Sequence, residues 1–207
     1  MSENKFKAAL QALLTEQNYT KKGRLFYRRQ ENIVCCVMTE RGHLDYLCAF
    51  IVPLYMPHEC LTKTYGKELC LGVAAEDPAK AITDATAFLK DEVFPFFDRI
   101  CTEADLLTFL SEDMENIQQY FQCPELWIDL LALYTAAKTS QDAAFCLARQ
   151  KTTKALRKAN FLVPARIAQI EEEIRTLEQL HDAEEAQRKA FFSACERKSL
   201  WRCFGEK

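Results

Sequence analysis

The sequence predicts an α+β fold: a small antiparallel β-sheet covered by helices, followed by an all-α helical subdomain with a long C-terminal helix. Three observations predict it. Apolar residues recur at helical spacing at both ends of the chain. Extended runs joined by short polar gaps lie between residues 24 and 54. No strand pattern appears after Ser111. The expected division is 1–110 for the α+β part (helix, antiparallel sheet, two helices) and 111–207 for the helical part.

Phe6, Ala9, Leu10, Leu13 and Leu14 space a first amphipathic helix over residues 5–17, and a polar break follows at 18–23. Strands are expected at 24–29, 33–39 and 44–54, with a fourth at 68–74. The second and third are apolar on both faces, as in strands covered on both sides. Gaps of three or four residues fit hairpins and not crossovers. Asp77-Pro78 then opens a helix with an N-cap and a proline at its first position. Pro95 must kink or end that helix, since it lacks an N–H and clashes one turn back. Thr102 caps a short helix carrying Leu106, Leu107 and Leu110.

In the second half, one helix is expected to run to about Gln122. Another starts after Cys123-Pro124, and Ser140 caps a third. Pro164 opens a final helix reaching roughly Trp201, whose stripe is Ile167, Ile170, Ile174 and Leu177. The stripe fails at His181 and Glu184, so packing against earlier helices is expected and not a free coiled coil.

Two segments carry a resemblance. One is Asn18-Tyr19-Thr20-Lys21-Lys22-Gly23-Arg24-Leu25-Phe26-Tyr27-Arg28-Arg29, after the leading helix. The other is Ala87-Phe88-Leu89-Lys90-Asp91-Glu92-Val93-Phe94-Pro95-Phe96-Phe97. On these the N-terminal half resembles the bacterial domain-of-unknown-function 4304 family. There, a Gly-Phe pair, basic residues, a Gly and a Phe-Tyr-Arg strand come in order, and a later helix ends at a proline. Asn18-Tyr19 departs from the Gly-Phe pair, with Tyr19 in the aromatic slot. The resemblance implies a bacterial protein and carries over no activity.

The 207 residues are 49% hydrophobic and 28% charged, with a net charge of -3, an ordinary globular composition. That charge balance disfavours a dedicated nucleic-acid binder. Ten cysteines sit largely within apolar runs and show no paired framework. They read as reduced, buried small hydrophobes of a cytoplasmic protein. The N-terminus has no apolar signal segment, and no run is long enough to span a membrane. No Cys-x-x-Cys, Gly-rich phosphate loop or nucleophile elbow is present, so no cofactor or metal is expected. Glu178-x-x-His181 is half of a di-iron helix motif and lacks its second copy.

The candidate partner-binding residues are basic. Lys21, Lys22, Arg24, Arg28 and Arg29 are interleaved with Phe26 and Tyr27. That mixture suits an acidic ligand, or nucleic acid with stacked bases, or merely a protected sheet edge. Lys151, Lys154 and Lys158 share a helix face in a stretch without acids between Asp142 and Glu171. The expected function is a non-catalytic protein-interaction module, immunity-type or adaptor. The alternatives are a small-molecule sensor or enzyme using His43 or His58 with Glu59 or Cys60, and a nucleic-acid binder through residues 21–29.

Overall fold

The computed structural model describes residues 2–74 and 76–206. α1 (Ser2–Glu16) buries Phe6, Leu10 and Leu14, one residue per turn on one face. Five strands follow: β1 (Thr20–Lys22), β2 (Leu25–Gln30), β3 (Ile33–Arg41), β4 (Asp45–Pro53) and β5 (Tyr65–Gly72). They form one antiparallel sheet in sequential order. Gly23 adopts a left-handed φ of 62° in the turn between β1 and β2, where a two-residue hairpin needs it.

β1 lies in the expected polar break. Its three residues are all exposed, so no apolar alternation announces it. β5 begins at Tyr65, earlier than expected, because buried Tyr65 pairs with Ile51 and continues the ladder. Gly66 lies directly against β4: a Cβ there would collide with the Ala49 carbonyl and the Phe50 side chain.

The sheet buries both faces. Ile33, Cys35 and Val37 of β3, with Leu47, Ala49 and Ile51 of β4, join the main core under the helices. Val34, Cys36, Cys48, Phe50 and Val52 face the other way. That second face is closed by the end of the chain: Leu200, Cys203 and Phe204 pack on it, along with Leu54 and Leu61. Phe204 lies 5.0 Å from the Tyr27 ring, and the Tyr27 hydroxyl donates to Glu206 at 2.8 Å. Lys22 donates to the Phe204 carbonyl.

α2 (Pro78–Ala87) starts at Asp77, whose side chain accepts from the Lys80 amide at 2.9 Å. A π-helical turn over Phe88–Val93 then widens the helix, and α3 (Phe94–Arg99) continues it. Pro95 sits just past this turn. The wider coil relieves the clash that a proline makes inside an α-helix. α4 (Glu103–Leu110) carries a full capping box between Thr102 and Asp105.

The second half is helical: α5 (Met114–Gln118), α6 (Glu125–Thr139), α7 (Asp142–Arg157), α8 (Pro164–His181) and α9 (Glu185–Ser199), ending in a π-helical turn, Leu200–Phe204. The helix expected to reach Gln122 shortens to α5. Ser140 does not cap α7: it ends α6 in a left-handed conformation, φ 57°. The long C-terminal helix is α8, of 18 residues. It stops at Asp182, where the apolar stripe fails, and α9 turns back so that Phe192 reaches the core. α6 is buried nearly all round and packs against α4, α7, α8 and α9. One apolar core runs from Phe6 to Phe192.

Phe204→Ala is expected to lower unfolding free energy by about 3 kcal/mol, read by urea denaturation, because it uncovers the second sheet face. Gly66→Ala should cost about 2 kcal/mol by the same measurement, since neither colliding group is a flexible side-chain end. Wild-type stability in either variant would contradict the packing described.

Candidate functional site

The basic run at residues 21–29 does not form one surface. Lys22 is engaged with Phe204. Arg28 donates to Asp98 at 2.6 Å and lies 5.3 Å from the Tyr19 ring centre. Arg29 donates to the Glu31 carbonyl at 2.7 Å. Lys21 and Arg24 instead line a cleft of about 190 Å³ with Lys7, Arg41, Leu10 and Phe26. Lys21 donates there to Gln11 at 2.7 Å. Phe26 is buried and Tyr27 lies against Phe204, so neither ring is presented for stacking on bases.

The second basic stretch lies exposed on α7. Lys154, Arg157 and Lys158 are exposed at the C-terminal end of α7, and none makes an ion pair among the described residues. Cations in a last helical turn also complement the helix dipole, which accounts for part of their placement. It does not account for their neighbours. Phe161 and Val163, in the turn to α8, are 55% and 65% exposed. At the opposite end of this hairpin, α7 and α8 are joined by the Arg149–Glu178 pair at 2.9 Å and by His181 stacked on Phe145 at 4.0 Å. Those contacts also use both residues of the Glu-x-x-His half-motif. Lys151, one turn before Lys154 on the same helix, is also exposed and lines a cleft beside Asp129.

A cleft of about 300 Å³ between the residues after β4 and helices α6 and α8 gathers His58, Glu59 and Cys60 with Trp127, Arg166 and Glu173. His43 is exposed elsewhere. The gathered groups are already satisfied. His58 is buried, and its Nε2 bonds the Pro53 carbonyl at 2.9 Å. Burial lowers its pKa, so the ring is neutral and structural. Glu59 pairs with Lys198 at 2.8 Å and with Arg202. Arg166 bonds Glu173 at 3.2 Å and stacks over Trp127. No hydrogen bond joins His58 to Cys60 among the described residues, so the arrangement lacks a nucleophile with its base.

The thiols divide. Cys35, Cys36, Cys48 and Cys203 are buried as expected, whereas Cys60, Cys70 and Cys146 are exposed. Burial pushes the Cys48 and Cys203 thiols up to about 11. Glu40, Cys48 and Glu68 offer ligand atoms within 4.8 Å of one another, a grouping that resembles a metal site. Its cation is Lys63, which donates to Glu40 at 2.6 Å, to Glu68 at 2.8 Å and to the Cys48 sulfur at 3.6 Å. An ammonium in the middle of the three groups and a protonated thiol leave no metal-binding set there.

One group escaped the sequence reading. Asp129 lies on α6 among Ile128, Leu130 and Leu131 and is 7% exposed. Its signal was visible as the lone acid inside an otherwise apolar helical run, residues 126–133. No hydrogen-bond donor reaches its carboxylate among the described residues. Burial pushes its pKa up to about 6, with Lys151 drawing it down and Glu125 adding to the rise.

No family model, curated protein or solved structure in the three comparisons matches the chain. No helix among the described residues is long and apolar enough to cross a membrane.

The Asp129 carboxyl holds its proton more tightly folded than unfolded. It therefore costs nothing below its ordinary value of 3.8 and its full penalty above about 6. Asp129→Asn should be more stable than wild type by on the order of 2 kcal/mol above pH 7, with the gap closing as pH falls through 6 toward 4. Urea denaturation across that range reads it, and a gap independent of pH would refute the assignment.

Proposed function

We propose that this protein is a non-catalytic interaction module that holds an acidic partner protein at the end of the α7–α8 hairpin. The observation carrying this reading is the grouping of three unpaired cations, Lys154, Arg157 and Lys158, with the solvent-facing side chains of Phe161 and Val163. Exposed aromatic and aliphatic groups beside basic ones combine an apolar anchor with electrostatic steering. In the cleft with His58, the His58, Glu59 and Glu173 side chains serve internal contacts, which weighs against a catalytic role for them. Immunity-type and adaptor roles both fit such a surface, and so does a bacterial cytoplasmic setting.

Affinity capture from the source cells tests it. A stoichiometric acidic partner should be retained by wild type and released by high salt. The triple variant Lys154→Glu, Arg157→Glu, Lys158→Glu should weaken its binding by about a hundredfold, with the melting temperature retained. Equal retention by the variant would remove this surface. Capture of wild type by phosphatidylserine vesicles with no protein partner would replace the reading with a lipid-surface one.

A further inference from the structure

Among the described residues, no hydrogen bond or ion pair engages the largely buried Asp129 carboxylate. A largely buried carboxylate that no protein donor reaches loses part of its hydration, and an aliphatic residue would pack at this position without that loss. Asp129 lines a cleft of about 190 Å³ between α4, α6 and α7. Leu107, Leu110, Ala132, Ala144 and Ala148 supply apolar wall, and Leu147, 52% exposed, stands at its edge. Lys151 lines the same cleft. Its charge acts on Asp129, yet the two groups form no ion pair among the described residues. Thr108 and Ser111 also line the cleft, but their hydroxyls donate to the Ala104 and Thr108 carbonyls, at 2.9 Å and 2.6 Å.

We infer that this cleft is a binding site for a small zwitterion, an ammonium and a carboxylate on a short apolar body, as in a free aliphatic amino acid. The ammonium sits on the Asp129 carboxylate and supplies the charge-assisted hydrogen bonds that the protein itself does not. The ligand carboxylate faces Lys151, at the exposed end. The aliphatic portion lies among the leucine and alanine side chains. A cation alone would meet repulsion from Lys151, and an anion alone would meet repulsion from Asp129. The two protein charges together select both charges of the ligand. The volume is below the roughly 300–1,000 Å³ of drug-sized sites, which restricts the ligand to a small metabolite. Lys154, Arg157 and Lys158 do not line this cleft, so its ligand set differs from the proposed protein-binding surface.

Isothermal titration calorimetry on the full chain at neutral pH tests the inference with L-leucine as the probe. Isoamylamine, which lacks the carboxylate, and 4-methylpentanoate, which lacks the ammonium, serve as comparisons. L-leucine should bind saturably, and each comparison compound should bind at least about tenfold more weakly. Asp129→Asn should lose L-leucine binding by about tenfold or more while melting no lower than wild type. Lys151→Met, at an exposed position, should weaken L-leucine by about tenfold and leave isoamylamine as tight or tighter. Absence of saturable L-leucine binding at millimolar concentration would overturn the inference. So would unchanged binding in a folded Asp129→Asn, or isoamylamine binding as tightly as L-leucine.

Discussion

The two-sided burial of β3 and β4 is the constraint from which the rest of the architecture follows. Ile33, Val34, Cys35, Cys36 and Val37 are each at most 1% exposed, so consecutive residues on opposite faces are equally buried. An antiparallel sheet can leave one face in water, but this one cannot. Two covers are required, and the chain supplies them from different distances. The near cover is α1 with the α2–α3 helix. The far cover comes from Leu200, Cys203 and Phe204, the last apolar residues of the chain. The helical half is therefore built to return its own end to the sheet.

That return runs through α6. Tyr55, just after β4, is fully buried and donates to Thr135 at 2.8 Å, while Thr135 donates onward to the Leu131 carbonyl. Lys138, near the end of the same helix, bonds Glu196 of α9 at 2.6 Å. α6 thus fixes the sheet on one side and α9 on the other, and α9 delivers the C-terminal turn. Ser199 completes the connection by donating to the Met56 carbonyl at 3.0 Å. A helix in this position has almost no solvent face, which is why its middle is largely apolar and why Asp129, a buried acid there, stands out.

The layout was legible where side-chain pattern and backbone chemistry agree. The continuously apolar central strands, the Asp77-Pro78 start and the Thr102 cap are local signals, and each marks its element correctly. β1 was hidden because an edge strand of three exposed residues has no buried face to write into the sequence. The division of the last helix was half legible: the failing stripe at His181 and Glu184 marked the place but not the turn. The basic clusters were legible as composition only. Whether Lys22 meets Phe204, or Lys138 meets Glu196, depends on pairings between segments far apart in the chain. The sequence shows the charges, and long-range packing decides which remain unpaired.

Paired and unpaired charge also separates structure from function in this molecule. Lys63 between Glu40 and Glu68, Arg28 on Asp98, and Arg166 on Glu173 and Trp127 are local compensations that leave little for a ligand to gain. Function is expected where compensation is missing, because a site that is already satisfied binds only by giving something up. Two places meet that condition by opposite routes. At the α7–α8 turn, cations and apolar side chains are left in water, where leaving them costs little and gathering a partner gains much. At Asp129 a largely buried carboxylate opens onto a cleft with no partner from the protein. Surface placement of the first permits evolution to tune it freely, whereas burial of the second fixes its geometry through α4, α6 and α7 together. The first suits the proposed association surface and the second the proposed small-molecule site.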